Sequence, residues 1–213
     1  MELLTTGITF FQKGGIVMYA LLLCSLFVLS IAIERTLYFR RMDSGRAFAR
    51  DFYLALANGK RQQAEKLADD ARGALADILF AVITKKPEAR KNPATYMEVQ
   101  SGIALAKLRK RLYYLSVIVT MAPLLGLLGT ISGMITSFSV FNLESGQATA
   151  ITGGVGEALI ATAMGLCVAI VSLAVHAYFS QRIENIVTDM EQCFSMVETD
   201  AAERDGMNKE EAA

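Results

Sequence analysis

One carboxylic acid, Glu157, sits alone in a long apolar stretch. It is the only acid between Glu144 and Glu184, and the run from Ala150 to Leu173 around it is long enough to cross a bilayer. A carboxylate at that depth costs roughly 2.5–3.5 kcal/mol on insertion scales, which is why such residues face a protein interior or an ion path. Apolar surroundings disfavour the charged form of an acid. An acid that can take and release a proton there can pass protons through the membrane. Each elementary charge that crosses yields about 2.3 kcal/mol per 100 mV. Two threonines could assist, because hydroxyls both donate and accept hydrogen bonds. Thr162 lies in the same run as Glu157, and Thr130 lies in the preceding one. At roughly 100° per residue, Thr162 is about 140° from Glu157, so the two occupy opposite shoulders of one helix face.

Other chemistries have little support. No Ser–His or paired-Asp constellation sits at membrane depth, so an enzyme is not expected. Cys24, Cys167 and Cys193 show no pairing or metal spacing, and they read as small buried apolar residues. No metal or other cofactor is expected. His176 stands alone near the far end of the third apolar run and reads as an interfacial or packed histidine.

The elements that must hold these residues are membrane helices. Three uncharged or nearly uncharged runs stand out: Gly14 to Ile33, Leu112 to Leu143, and a third from after Gln147 to near Gln181, broken only by Glu157 and His176. Each meets the length of about 20 residues that a span needs. The first is too long in its apolar core for a signal peptide, and Arg35, Arg40 and Arg41 follow it as a stop-transfer flank. The expected fold is an all-α integral membrane protein with three transmembrane helices. Two of these are long and extend into the cytoplasm, beside a helical cytoplasmic segment. Net charge is zero, but basic residues collect after the first span (Arg35 to Arg50) and before the second (Lys107 to Arg111). The positive-inside rule then places the middle segment and the C-terminus in the cytoplasm and the N-terminus outside. These clusters are mixed with acids and suit lipid headgroups; they give no reason to expect nucleic acid.

Four segments follow. Residues 1–41 hold an external N-terminus and the first span, and residues 42–111 a cytoplasmic helical segment. Residues 112–181 carry the second and third spans, and residues 182–213 an extension of the third helix with a polar, disordered tail from Asp200. Ser44 is the expected N-cap of a helix that stops at Asn58-Gly59, followed by short helices near 60–71 and 74–84. Pro93 starts the next helix, with no strong stop before Asn142. Ile183, Ile186, Val187, Met190, Phe194 and Val197 recur at three- and four-residue steps, which predicts an amphipathic extension of the third helix. Glu34 beside Arg35 reads as a local ion pair or cap.

Small residues form stripes on both later spans. The second carries Ala122, Gly126, Gly129, Gly133 and Ser137, and the third carries Gly154, Ala158, Ala161, Gly165, Ala169 and Ser172. Such stripes let helix backbones approach closely in lipid, and here they suggest contact between subunits. Pro123 removes a backbone donor inside the second span and frees a carbonyl.

Two blocks, Ala122-Pro123-Leu124-Leu125-Gly126-Leu127-Leu128-Gly129-Thr130-Ile131-Ser132-Gly133-Met134 and Gly156-Glu157-Ala158-Leu159-Ile160-Ala161-Thr162-Ala163-Met164-Gly165-Leu166, resemble the ExbB/TolQ/MotA proton-channel family. Ile33-Glu34-Arg35 is a weaker match. The resemblance implies an inner-membrane motor subunit that couples the proton motive force to mechanical work on the outer envelope. It further implies a homo-oligomeric ring, typically a pentamer, with residues 112–181 on the pore side. The ring would surround an ExbD/TolR-like single-span partner, and a TonB/TolA-like energy transducer would receive the work. Glu157, Thr130 and Thr162 match the family's pore-lining acid and two pore threonines. The three-span plan and Glu157 favour the ExbB/TolQ branch and leave ExbB against TolQ open. The alternative is a passive membrane scaffold in which Glu157 is hydrogen-bonded between helices.

Overall fold

A computed structural model describes residues 15–84, 86–143 and 148–211. Its described residues are helical, with no strand. The helices are α1 (Gly15–Met42), α2 (Arg46–Ala57), α3 (Arg61–Asp70), α4 (Ala74–Ile83), α5 (Pro87–Arg90), α6 (Pro93–Arg109), α7 (Leu112–Leu143) and α8 (Ala148–Glu211). Three helical stretches, containing α1, α7 and the first part of α8, are long and apolar enough to cross a membrane. The expected external segment, residues 1–13, lies outside the described residues.

The chain divides into two compact units, at Glu34/Arg35, Lys110/Arg111 and Tyr178/Phe179. The first holds the apolar parts of α1 and α8 with α7. In it α1 buries one stripe, Val17, Met18, Leu21, Val28 and Ile31, and exposes Ile16, Leu23 and Leu29. Exposed side chains of this kind on a span match lipid, which is as apolar as they are. Glu34 closes this unit's end with an ion pair to Arg111, at 3.2 Å.

The second unit holds α2 to α6 with the ends of α1 and α8. Its core gathers Phe39, Phe52, Leu79, Met97, Leu108, Phe179 and Cys193, all fully buried. Ile183, Ile186, Met190 and Val197 line the buried side of α8, as their spacing predicts. Burial, and next the nearby Asp189 charge, pushes the Cys193 thiol up to about 12. That leaves an inert, protonated side chain whose Sγ lies 3.5 Å from the Ala49 carbonyl.

Three local expectations are corrected here. Ser44 does not cap α2, whose N-cap position is Gly45. Its hydroxyl instead accepts from the Ala76 N–H, at 3.2 Å, in the first turn of α4. Gly73 precedes that turn at φ 123, and a Cβ there would strike the Ser44 backbone, so the close approach demands glycine. The helix expected from Pro93 to Asn142 is interrupted at Lys110–Arg111. Arg35 bonds at this point: its guanidinium donates to the carbonyls of Lys107 and Leu108, at 3.1 Å each. In a continuous helix those carbonyls accept from the N–H groups of Arg111 and Leu112. Arg35 is only 4% exposed and stacks on Tyr38, with 4.6 Å to the ring centroid. Finally, the tail is not disordered from Asp200, because α8 continues to Glu211. Asp200 pairs with Arg61 at 2.9 Å and with Arg204 at 3.4 Å. Arg61 also donates to the Ile83 carbonyl at the end of α4, at 2.8 Å. These bonds hold the extension in place.

Candidate functional site

The site is built on the antiparallel pair α7 and α8. Their small residues meet each other within one chain. A Cβ added at Gly126 would lie 3.0 Å from the Ala161 carbonyl oxygen and from Thr162 Cα. One at Gly129 would lie 2.5 Å from Ala161 Cβ, and one at Gly133 3.1 Å from Ala158 Cβ. At Gly165 it would meet the Ala122 carbonyl oxygen at 2.6 Å and Gly126 Cα at 3.0 Å. Gly154 abuts the Ser137 hydroxyl. The backbones therefore touch along this line, and the stripes are used inside the subunit. The sequence suggested contact between subunits along these stripes; the contact they make here is within one chain.

Two hydroxyls tie the pair together. Thr162 Oγ1 donates to the Gly126 carbonyl at 3.2 Å, and Ser172 Oγ to the buried Leu115 carbonyl at 3.1 Å. Such bonds satisfy hydroxyl donors that lipid cannot. Thr130 donates to its own helix, to the Leu127 carbonyl at 2.7 Å. Both threonines are half-buried. Each keeps oxygen lone pairs that can accept from water or from an acid. Thr162 thus meets the α7 backbone one turn from Thr130. Pro123 is half-buried inside α7, which continues through it.

Glu157 lies in α8, between exposed Gly156 and buried Ala158. Its side chain is outside the described residues. By helical spacing its position is about 140° round from Thr162. Among the described residues, no group of three or more His, Cys, Asp or Glu is placed to hold a metal. What the arrangement offers is a tightly packed apolar helix pair that carries an acid on one shoulder and hydroxyls on the other.

The MotA/TolQ/ExbB proton channel family matches residues 70–192, a stretch that contains α4 to α7, Thr130, Glu157 and Thr162. The chain belongs to this family. Among its relatives is an ExbB-like biopolymer transport protein of Synechocystis, 35% identical over 78% of this chain and 67% of the relative. A second protein of that kind from Synechocystis is 33% identical over 76% of this chain and 79% of the relative. The Tol-Pal system protein TolQ of Pseudomonas aeruginosa is 34% identical over a shorter stretch, 38% of this chain and 36% of its own length. Membership and the three apolar helices make this a multi-pass membrane protein of a proton-channel family, which is a transport family and not a class of enzymes.

Sequence reading missed Arg35 as an anchor for the α6–α7 junction. Its one signal was that it is the first of the arginines that follow the apolar run, which the positive-inside rule already explained.

Proposed function

We propose that this chain is the ring-forming subunit of an inner-membrane proton-driven motor of the ExbB/TolQ type, with Glu157 as its proton-carrying acid. The carrying observation is a lone acid inside a membrane-length helix that packs against α7 through backbone contact. Thr130 and Thr162 supply hydroxyls to the same path. The acid and the hydroxyls sit on opposite shoulders of α8, so a lumen shared between copies is what would bring them together. Gly126, Gly129, Gly133 and Gly165 keep the helix pair thin enough to line such a lumen, and Pro123 loosens the α7 ladder beside it. The partners are an ExbD/TolR-like single-span protein inside a ring, pentameric in the family's usual form, and a TonB/TolA-like transducer that receives the work.

Native mass spectrometry of the chain co-expressed with its single-span partner tests the assembly. A homo-oligomeric ring that retains the partner is expected, with α7 and α8 innermost and α1 against lipid. Monomers alone in mild detergent, with and without the partner, would contradict it.

The orientation follows from the arginine and lysine flanks. A cysteine introduced at Ser145 is expected to react with an impermeant thiol reagent from outside the cell, and one at Asn58 is not. The reverse pattern would invert the topology and with it the direction of proton entry.

A further inference from the structure

We infer that His176 is the proton station on the cytoplasmic side of the path, reached from Thr162 along one face of α8. The inference rests on the proton path and orientation proposed above.

The face comes from helical geometry. Leu166, Ala169, Leu173 and His176 all fall within about 40° of the line through Thr162. Leu166 and Leu173 on this line are exposed and Ala169 is buried, so the line runs along the edge of the α7 contact, on the side away from α1. Helix α1 approaches α7 from the other side. Its Val17 side chain lies 3.6 Å from the Cβ position of Gly129. Its Phe27 ring is 6.2 Å from that of Tyr114, and its Glu34 pairs with Arg111. Round the α7 axis, these three contacts lie about 40–100° to one side of the residues that meet α8. Thr130 and Ser116 lie about 60–100° to the opposite side. In an antiparallel pair, related by a twofold axis between the helices, equal rotations lead to the same side on both. Thr162 and His176 on α8 therefore share a side with Thr130 and Ser116 on α7.

Depth agrees with this placement. Ser172 bonds to Leu115 across the pair, so in this antiparallel pair Ser116 and His176 are about 7.5 Å apart along the axis. Ser116 donates to its own helix, to the Tyr113 carbonyl at 2.8 Å, and keeps lone pairs for water. His176 is half-buried, and among the described residues its imidazole makes no hydrogen bond or ion pair. Both ring nitrogens are available for exchange.

The proton balance is simple. Thr162 and His176 are about 21 Å apart along the helix, so water has to carry the proton between them. One imidazole nitrogen accepts a proton from that water and the other releases one to cytoplasmic water. The ring ends in its starting charge state with its tautomer reversed, and rotation restores it. Imidazole can accept a proton at one ring nitrogen while the other gives one up, which suits it to this exchange. The other titratable or charged side chains near this depth include Arg111, Tyr113 and Tyr114 on α7, Glu34 on α1 and Tyr178 on α8. Arg111 and Glu34 offset each other as a pair.

The test uses the chain reconstituted with its single-span partner in liposomes, with an internal pH dye and an imposed potential. His176→Gln and His176→Ala are compared with wild type and with Glu157→Gln, after native mass spectrometry of each complex. The expected result is a flux at least about tenfold lower in both His176 variants. Added imidazole on the cytoplasmic side should restore flux in His176→Ala. Normal flux in both His176 variants beside a silent Glu157→Gln overturns the role of His176 and leaves that of Glu157 standing. Lowered flux without imidazole rescue, or loss of the ring in both variants, also overturns it and makes His176 a packing residue. Full flux in Glu157→Gln overturns the proposed path itself, and this inference with it.

Discussion

Replacing Glu157 by glutamine is expected to silence the energised activity of the complex in cells while the ring still assembles. Glutamine matches glutamate in size and polarity but cannot exchange a proton at the carboxyl position. Glutamate is also the costlier residue to keep in an apolar helix, by roughly 2.5–3.5 kcal/mol on insertion scales, so a structural role alone would be served as well by the amide. Aspartate keeps the acid on a shorter arm. The expected order is wild type, then Glu157→Asp, then Glu157→Gln near zero. Energised transport or envelope integrity, measured in cells that depend on this chain, reads that order. Equal activity in all three variants would return Glu157 to the passive scaffold reading.

The second large effect is expected at Gly165. Even a bare Cβ there would meet the Ala122 carbonyl oxygen at 2.6 Å and Gly126 Cα at 3.0 Å. Both neighbours are backbone and cannot swing aside. Gly165→Leu must therefore push α7 and α8 apart, and overpacking of this kind costs about 1–3 kcal/mol or more. Separation would also break the Thr162–Gly126 and Ser172–Leu115 bonds. Insertion depends on hydrophobicity and would proceed. Thermal unfolding in detergent should show a large loss of stability in Gly165→Leu, and a smaller one in Gly165→Ala. Gly156, which has open space at its Cβ position, should tolerate alanine with little change. If Gly165→Leu melted like wild type, the helix contact described here would be wrong.

The spans and the family blocks were legible in the sequence because lipid imposes strong rules: long apolar runs, flanking cations, small residues wherever helices touch. The stripes announced close approach, but spacing cannot say which helix is approached, and the partner proved to be the same chain's other span. Ser44 looked like a cap because it precedes an amphipathic run. Tertiary packing gave its hydroxyl to α4, 32 residues away in sequence. Nothing local marks the break at Lys110–Arg111, where there is neither glycine nor proline. The side chain that bonds there is Arg35, more than 70 residues earlier in the chain. The tail read as disordered on composition, yet Asp200 is held by Arg61 from α3. In the candidate site, the acid and the two threonines could be singled out from residue type and position. The bond from Thr162 to Gly126 could not, because it depends on the depth at which two helices meet. The line from Thr162 to His176 became meaningful only once α1 was seen to cover the other side of the pair.

The central claim is that protons cross the membrane by way of Glu157. Proton influx into liposomes that carry the complex of this chain with its single-span partner, driven by a potassium–valinomycin potential, measures this directly. Wild-type complex should acidify the lumen well above protein-free liposomes, and Glu157→Gln complex of the same oligomeric mass should not exceed them. Equal influx through both complexes would contradict the claim and leave Glu157 a structural residue.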